Sequence, residues 1–91
     1  MSGGIWVFQN TLAGRFAGGV FTSVERAEEW IKKNRLSGVL TLYPLDVGVY
    51  EWAIDHGLFT PKKSREHESP FIGAFTTASQ PHRHYEDGAR A

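Results

Sequence analysis

Two histidines and a glutamate near the C-terminal end of the chain come closest to a chemical site. His82, His84 and Glu86 are spaced two residues apart, and the two-residue period of a β-strand would place their side chains on one face. Imidazole and carboxylate groups bind zinc, which takes four protein ligands in structural sites and three plus water in catalytic sites. The sequence fixes no fourth ligand, so we predict no bound metal and no cofactor. A metal- or small-molecule-dependent enzyme that uses this cluster stays open as the alternative function.

No other catalytic arrangement stands out in the sequence. Cysteine is absent, and no serine lies in a glycine-flanked elbow or in a Ser-x-x-Lys motif, so nucleophilic catalysis has no recognisable centre. The glycines do not form the loops that cradle phosphates in nucleotide-binding proteins. Glu51 and Asp55 lie one helical turn apart, which is typical of a solvated helix face. We therefore predict no catalytic residue.

Composition and charge limit the class of protein and its partners. Ten acidic residues balance ten lysines and arginines, so no net field attracts nucleic acid or a membrane surface. The 91 residues are 41% hydrophobic, which is typical of a folded chain and is enough for one domain. We expect a single domain over residues 1–91, ordered at about residues 5–88. No apolar run is long enough to span a membrane, and the N-terminus lacks a signal peptide, so the predicted location is cytoplasmic.

The first half of the sequence predicts a hairpin and a helix. Ile5 to Gln9 and Arg15 to Phe21 have the β-branched and aromatic residues of two antiparallel strands, with Gly18-Gly19 at a bulge or a close backbone approach. The spacing from Thr22 to Glu25 predicts a capping box at the start of a helix. Asn34 is the expected left-handed residue at its end. The apolar face of this helix comprises Val24, Ala27, Trp30 and Ile31.

The stretch from Gly38 to Gly57 predicts a central strand, a turn and a second helix. Val39 to Tyr43 is apolar on both faces apart from one threonine, which favours a strand that is covered on each side. Pro44 ends the strand, Asp46 is the expected helix cap, and Gly57 is the expected left-handed stop. The apolar stripe of this helix comprises Val47, Tyr50, Ala53 and Ile54.

The remaining residues predict an exposed loop and one or two further strands. The loop covers about residues 60–70, Phe71 to Thr76 has strand character, and Gln80 to Gly88 adds a short edge strand. The fold class is therefore α+β: a small, mostly antiparallel sheet of four or five strands with two helices, in the order ββαβαβ(β). A parallel pairing of the second and third strands is an open alternative within this class.

Two runs of residues also give the chain a family resemblance. They are Tyr43-Pro-Leu-Asp-Val-Gly-Val-Tyr-Glu-Trp-Ala53 in the centre and His84-Tyr-Glu-Asp-Gly88 near the end. Over about residues 5–88 the chain resembles a family of small, mostly bacterial single-domain proteins that is classified only as a domain of unknown function. The resemblance implies no established activity, cofactor or catalytic residue.

We predict a non-catalytic, cytosolic protein-binding module of the immunity or adaptor type. The missing catalytic groups and the aromatic, polar C-terminal segment motivate this prediction, because tyrosine tolerates the rim of an interface. A protein partner is expected, without nucleic acid or membrane, and the chain is expected to be a monomer or a homodimer. The residues predicted to contact a partner or ligand are Tyr43, Glu51, His82, His84, Tyr85 and Glu86.

Overall fold

The computed structural model of the chain describes residues 3–10 and 16–91. Within these residues, five strands form one antiparallel sheet in the spatial order β2-β1-β3-β4-β5. The strands are β1 (Gly4–Asn10), β2 (Gly19–Phe21), β3 (Gly38–Pro44), β4 (His82–Glu86) and β5 (Ala89–Arg90). The helices are α1 (Val24–Lys33), α2 (Val49–Asp55) and the short α3 (Ser69–Ala74), with a 3₁₀ turn at Ser64–His67. The predicted α+β class and the approximate order of its elements are confirmed.

Helix α1 covers one face of the sheet and forms the main core. Phe8 lies opposite Leu40 on neighbouring strands, and both are buried together with Tyr85 of β4. Ala27 and Ile31 of α1 complete this buried cluster. The predicted apolar face of the first helix is thus confirmed, since alternate residues of three strands meet two turns of α1.

The opposite face of the sheet, called the open face below, has no fully buried side chain among its described residues. Cross-strand pairing places Val7 beside Thr41, and Val39 beside His84. The prediction that β3 is central is confirmed, because β1 and β4 flank it. The prediction that β3 is covered on each side holds in part, because Leu40 is buried beneath α1 whereas Val39, Thr41 and Tyr43 on the other face are half-buried. The open face comprises Ile5, Val7, Gln9, Val20, Val39, Thr41, Tyr43, His82, His84 and Glu86.

A second aromatic cluster forms among α2, α3 and the chain between them. The Tyr50 ring lies 5.7 Å from the Phe75 ring and 5.9 Å from the Phe59 ring, and Phe71 contacts all three. The Tyr50 hydroxyl donates a 2.7 Å hydrogen bond to the backbone carbonyl of Glu66. This cluster holds residues 49–75 together apart from the core beneath α1, because edge-to-face aromatic contacts add to the burial of their large rings.

Three strand predictions differ from the structure. Phe71 to Thr76 is not a strand: Ser69–Ala74 is helix α3, with Pro70 in its first turn, where proline's fixed φ favours a helix start. The predicted edge strand at residues 80–88 is β4, which lies between β3 and β5. Parallel pairing of the second and third strands is wrong, because β1 lies between them. The predicted hairpin of β1 and β2 is confirmed. Arg15, the predicted first residue of the second strand, lies outside the described residues.

The predicted caps of α1 are displaced by one residue. The N-cap is Ser23, whose side-chain oxygen accepts a 3.2 Å hydrogen bond from the Arg26 backbone N–H, so the capping box at Thr22 is wrong. At the other end Asn34 has a φ of −101°, and Arg35 has the left-handed φ of 54°. Asn34 instead donates from its side chain to the Trp30 carbonyl at 3.0 Å, so it satisfies a helix-end carbonyl without leaving the right-handed region.

The start of α2 also differs from the prediction. Asp46 has a φ of 62° and lies in the turn after β3, so it is not the helix cap. Gly48 occupies the N-cap position without a side-chain hydrogen bond. The predicted stop at Gly57 is confirmed by its φ of 70°. In the described residues no helix is long and apolar enough to cross a membrane.

Candidate functional site

An apolar groove of about 620 Å³ lies between the end of β3 and helix α2. Its volume falls in the range of pockets that bind ligands or partner side chains, about 300–1,000 Å³. Most of the lining is aliphatic or aromatic, and the backbone of two glycines contributes the rest. The described lining residues are Gly3, Gly4, Leu42, Tyr43, Pro44, Leu45, Val47, Trp52, His56 and Pro81.

The sequence between β3 and α2 forms this groove by reversing the chain in a few residues. Pro44 is the last residue of β3, because proline has no N–H to continue the ladder. Asp46 then takes its left-handed φ, and α2 begins at Val49. The helix therefore returns beside the strand that precedes it, and the space between the two is the groove.

Helix α2 directs different residues toward the groove and toward the aromatic cluster. Tyr50 and Ala53 are buried, whereas Trp52 and His56, four residues apart, line the groove. Their rings lie 4.9 Å apart, and His56 Nδ1 is 2.8 Å from the Trp52 carbonyl oxygen. The imidazole is thus held against the indole, as expected for side chains at i and i+4.

Two large apolar side chains at the rim of the groove face solvent. Leu45 is 53% exposed and Val47 is 41% exposed. The predicted apolar stripe of α2 is wrong at Val47, which precedes the helix, and at Ile54, which is 37% exposed. The rim therefore offers apolar area that the fold of the chain alone leaves in water.

The groove offers little for acid–base or nucleophilic chemistry. Among its described lining residues, only Tyr43 and His56 carry a titratable side chain. A catalytic base needs a second group that orients it or receives the proton, and this lining contains no carboxylate, serine, lysine or arginine. The arrangement is suited to binding apolar groups.

A shallower depression of about 260 Å³ adjoins the groove on the open face. Its described lining comprises Gln9, Val39, Thr41, Tyr43 and His82 of the sheet, with residues 76–78 and Gln80 beside them. Tyr43 lines both the depression and the groove. Tyr43 is therefore the lining residue that the groove and the depression share.

Comparison with known proteins assigns the chain to a family. The family described as a domain of unknown function, DUF7710, matches residues 5–91. The chain belongs to the DUF7710 family. This membership agrees with the uncharacterised family that the sequence resembles. No curated protein and no solved structure shows significant similarity to this DUF7710 chain.

The structure brings together two of the three residues of the predicted His/Glu cluster. His82 and His84 share the open face of the DUF7710 sheet, as their spacing predicts, and their ring centroids lie 5.1 Å apart. Glu86 is exposed at the end of β4. In residues 3–10 and 16–91, no three histidine, aspartate or glutamate side chains are grouped closely enough to hold a metal ion. The three-ligand arrangement considered from the sequence is therefore not assembled.

Tyr85 lies on the other side of the sheet from the histidines. It is 5% exposed, and its hydroxyl donates a 2.5 Å hydrogen bond to Glu28 Oε2 of α1. Arg90 Nε contacts the same oxygen at 2.5 Å. Burial and, to a smaller extent, the hydrogen bond to Glu28 raise the pKa of Tyr85 to about 12. Tyr85 thus fastens α1 to the sheet and is not available at the surface.

Glu51 is exposed on α2 and does not line the groove. Its carboxylate lies over Gly48, where an added Cβ would be 2.6 Å from Glu51 Oε1. The side chain therefore covers the first turn of the helix, and Gly48 leaves room for it. Of the six residues predicted to contact a partner, the structure places Tyr43 in both concavities, His82 in the depression and His84 beside His82.

Sequence reasoning missed Gln80, which anchors the loop beside the open face. Gln80 is 2% exposed, its side-chain Nε2 donates to the Leu42 carbonyl at 3.3 Å, and its Oε1 accepts from the Thr77 N–H at 3.1 Å. A buried amide is costly unless such bonds satisfy it. Leu45, Trp52 and His56 were also missed, because their shared position depends on how α2 lies against β3.

Proposed function

We propose that this DUF7710 chain is a non-catalytic, cytoplasmic protein-binding module of the immunity or adaptor type. The observation that carries the proposal is the solvent-exposed apolar groove, whose described lining contains no carboxylate, serine, lysine or arginine. Burying apolar surface contributes about 25 cal/mol per Å². A partner that fills the groove would gain this free energy, whereas an acid–base reaction would have only Tyr43 and His56 in the described lining.

The partner we propose is a protein that inserts an apolar side chain between Leu45 and Trp52. Tryptophan and tyrosine are frequent at the energetic centres of interfaces, because they bury a large area and lose little conformational entropy. Trp52 and Tyr43 line the groove. The groove lining carries no formal charge apart from His56 when protonated, so an apolar anchor enters without an unpaired ion.

The open face enlarges the surface beyond the groove. A stable interface buries about 800 Å² per partner, which exceeds what one inserted side chain covers. Val7, Val39 and Thr41 lie beyond Tyr43 on the same face, so they supply additional area next to the groove.

An enzyme that binds a small molecule in the groove is a second alternative function, separate from the enzyme of the His82, His84 and Glu86 cluster considered from the sequence. The groove volume supports it, because drug-sized ligands occupy cavities of this size. It would need His56 or Tyr43 to act as the acid or base, and the described lining offers neither residue a charged partner. This alternative predicts a small molecule that copurifies with the chain, whereas the binding module predicts a protein.

Affinity capture with matched surface variants tests the proposal. Leu45→Glu places a charge at the groove rim, and Leu58→Glu is the control because Leu58 has similar exposure, 45%, but does not line the groove. Both variants should keep the native circular-dichroism spectrum. We expect the native chain and Leu58→Glu to recover the same protein from lysate of the source cells, and Leu45→Glu to recover at least about tenfold less.

Two results of this experiment contradict the proposal. One is equal recovery of the same protein by the native chain and by Leu45→Glu, which would place the contact elsewhere. The other is the absence of any reproducible protein with the native chain. Mass spectrometry of the native preparation under non-denaturing conditions then distinguishes a copurified small molecule from an empty groove.

A further inference from the structure

The two histidines of β4 form a pair whose geometry is suited to sharing one ion. His82 and His84 are exposed, face the same way from the sheet, and have ring centroids 5.1 Å apart. Their cross-strand neighbours on β3 are Thr41 and Val39, which carry no charge. Glu86 follows His84 at the same two-residue spacing on β4, so the next ionisable side chain on this face of the strand is a carboxylate.

A hydrogen bond fixes the proton of one ring. His82 Nδ1 lies 2.7 Å from the Gln80 carbonyl oxygen. A carbonyl oxygen can only accept, so Nδ1 carries the hydrogen and Nε2 keeps its lone pair free. A metal-binding histidine usually donates a hydrogen bond from its other ring nitrogen, and a backbone carbonyl is a common acceptor. This bond sets both the tautomer and the orientation of the ring. Gln80 is buried and bonded to Leu42, so this support is fixed to the sheet.

The distance between the rings also fits a shared ion. With a metal–nitrogen bond of about 2.0–2.1 Å and tetrahedral angles, two imidazole centroids that share an ion lie about 5.2 Å apart. The observed separation is 5.1 Å. No hydrogen bond within the described residues holds the His84 ring, so it can rotate to direct a nitrogen toward the ion that His82 Nε2 faces.

We propose that His82 and His84 form a two-imidazole site for a borderline divalent transition-metal ion such as Zn²⁺, Ni²⁺ or Cu²⁺. These ions favour imidazole nitrogen, whereas Mg²⁺ and Ca²⁺ favour oxygen ligands. Two protein ligands leave the remaining positions to water or to groups of a partner that covers the open face. The site does not depend on the proposed protein-binding role, because the chain alone supplies both imidazoles.

Calorimetric titration of the untagged chain tests this site. Ni²⁺, Zn²⁺ and Cu²⁺ are titrated separately into the native chain, into a His82→Ala/His84→Ala variant, and into a His56→Ala/His67→Ala control. The control removes the other two histidines of the chain, both of which are exposed. We expect one ion per native chain, unchanged affinity within about twofold in the control, and at least about tenfold weaker binding in the His82/His84 variant.

Nitrogen chemical shifts of the imidazole rings provide a second measurement. The native chain without metal should show His82 protonated on Nδ1. Addition of Zn²⁺ should shift the ring nitrogen signals of both His82 and His84. The proposal is overturned if the native chain binds none of the three ions at 1 mM. A dissociation constant of this size corresponds to a binding free energy of about 4 kcal/mol. It is also overturned if the His82/His84 variant keeps the native affinity, or if the control loses it. None of these results alters the capture experiment, which concerns the groove.

Discussion

Tyr85 and Glu28 join the sheet to its covering helix through a single hydrogen bond. The Tyr85 hydroxyl of β4 donates to Glu28 Oε2 of α1 at 2.5 Å, and the two residues are 57 positions apart in the sequence. Hydrogen bonds from Arg90 and then from Tyr85 lower the pKa of Glu28. The stable form of the contact is therefore a neutral phenol that donates to a charged carboxylate.

Tyr85→Phe should destabilise the fold without changing its shape. The substitution removes the hydrogen bond to a charged acceptor, which is worth about 1.5–3 kcal/mol in general, and Arg90 remains to pair with Glu28. We expect the free energy of unfolding in urea to fall by about 1.5 kcal/mol with an unchanged slope. Tyr43→Phe is the control and should change it by less than about 0.5 kcal/mol. Equal effects of the two variants would contradict the role assigned to the Tyr85 hydroxyl.

Alkaline pH should remove the contribution of Tyr85 to stability. Its pKa is about 12 in the fold and about 10 in the unfolded chain, so folding favours the protonated phenol. The contribution is complete below about pH 10 and is lost as pH rises through about 12. The free energy of unfolding of the native chain should therefore fall toward that of Tyr85→Phe across this window, as measured by urea titration. A constant difference between the two from pH 9 to 11.5 would show that the pKa is not raised.

Gly38→Ala should be among the most damaging single-methyl additions in the chain. A Cβ at Gly38 would overlap the backbone oxygen of Gln9 and lie 2.6 Å from Phe8 Cζ. Overpacking of a buried position costs about 1–3 kcal/mol or more, so the thermal midpoint should fall by at least about 5 °C. Gly73→Ala is the matched control, because its Cβ meets nothing within 4 Å on α3. That control should raise the midpoint slightly, since alanine favours a helix over glycine.

The parts of the fold that the sequence predicted correctly are those with a clear local period. Ala27 and Ile31 lie on one face of a helix, and both are buried. Gly57 follows the last turn of α2, where a left-handed residue was expected. These predictions were correct because the period and the end signal agree.

The incorrect predictions arose where two structures fit the same residues. Phe71, Ile72 and Phe75 are compatible with a short strand or with one side of a helix, and an apolar run of this length does not distinguish them. Pro70 was the signal for a helix start. The burial of Tyr85 was contained in the period of two, since a residue between exposed His84 and exposed Glu86 faces the opposite way. The groove depends on where α2 lies relative to β3, which no local pattern specifies.

Glu66 should protect the loop between α2 and α3 from proteolysis. Its Oε1 accepts hydrogen bonds from the backbone N–H of Lys62 at 2.8 Å and of Lys63 at 3.3 Å, and these bonds lower the pKa of Glu66. Glu66→Ala should increase the initial rate of tryptic cleavage after Lys62 and Lys63 about threefold or more, because local opening becomes easier. Glu68→Ala is the control, since its side chain makes no capping bond. Equal cleavage rates in the two variants would contradict this role.

Hydrogen–deuterium exchange of the chain with its captured partner tests most directly whether the groove is the binding surface. Backbone amides that an interface covers exchange more slowly in the complex than in the free chain. The account predicts slower exchange at residues 45–56, which form the rim and α2, and at residues 39–43 of β3. It predicts little change over Val24–Lys33 on the outer side of α1. Slower exchange confined to α1 and β5, with residues 45–56 unchanged, would contradict the account.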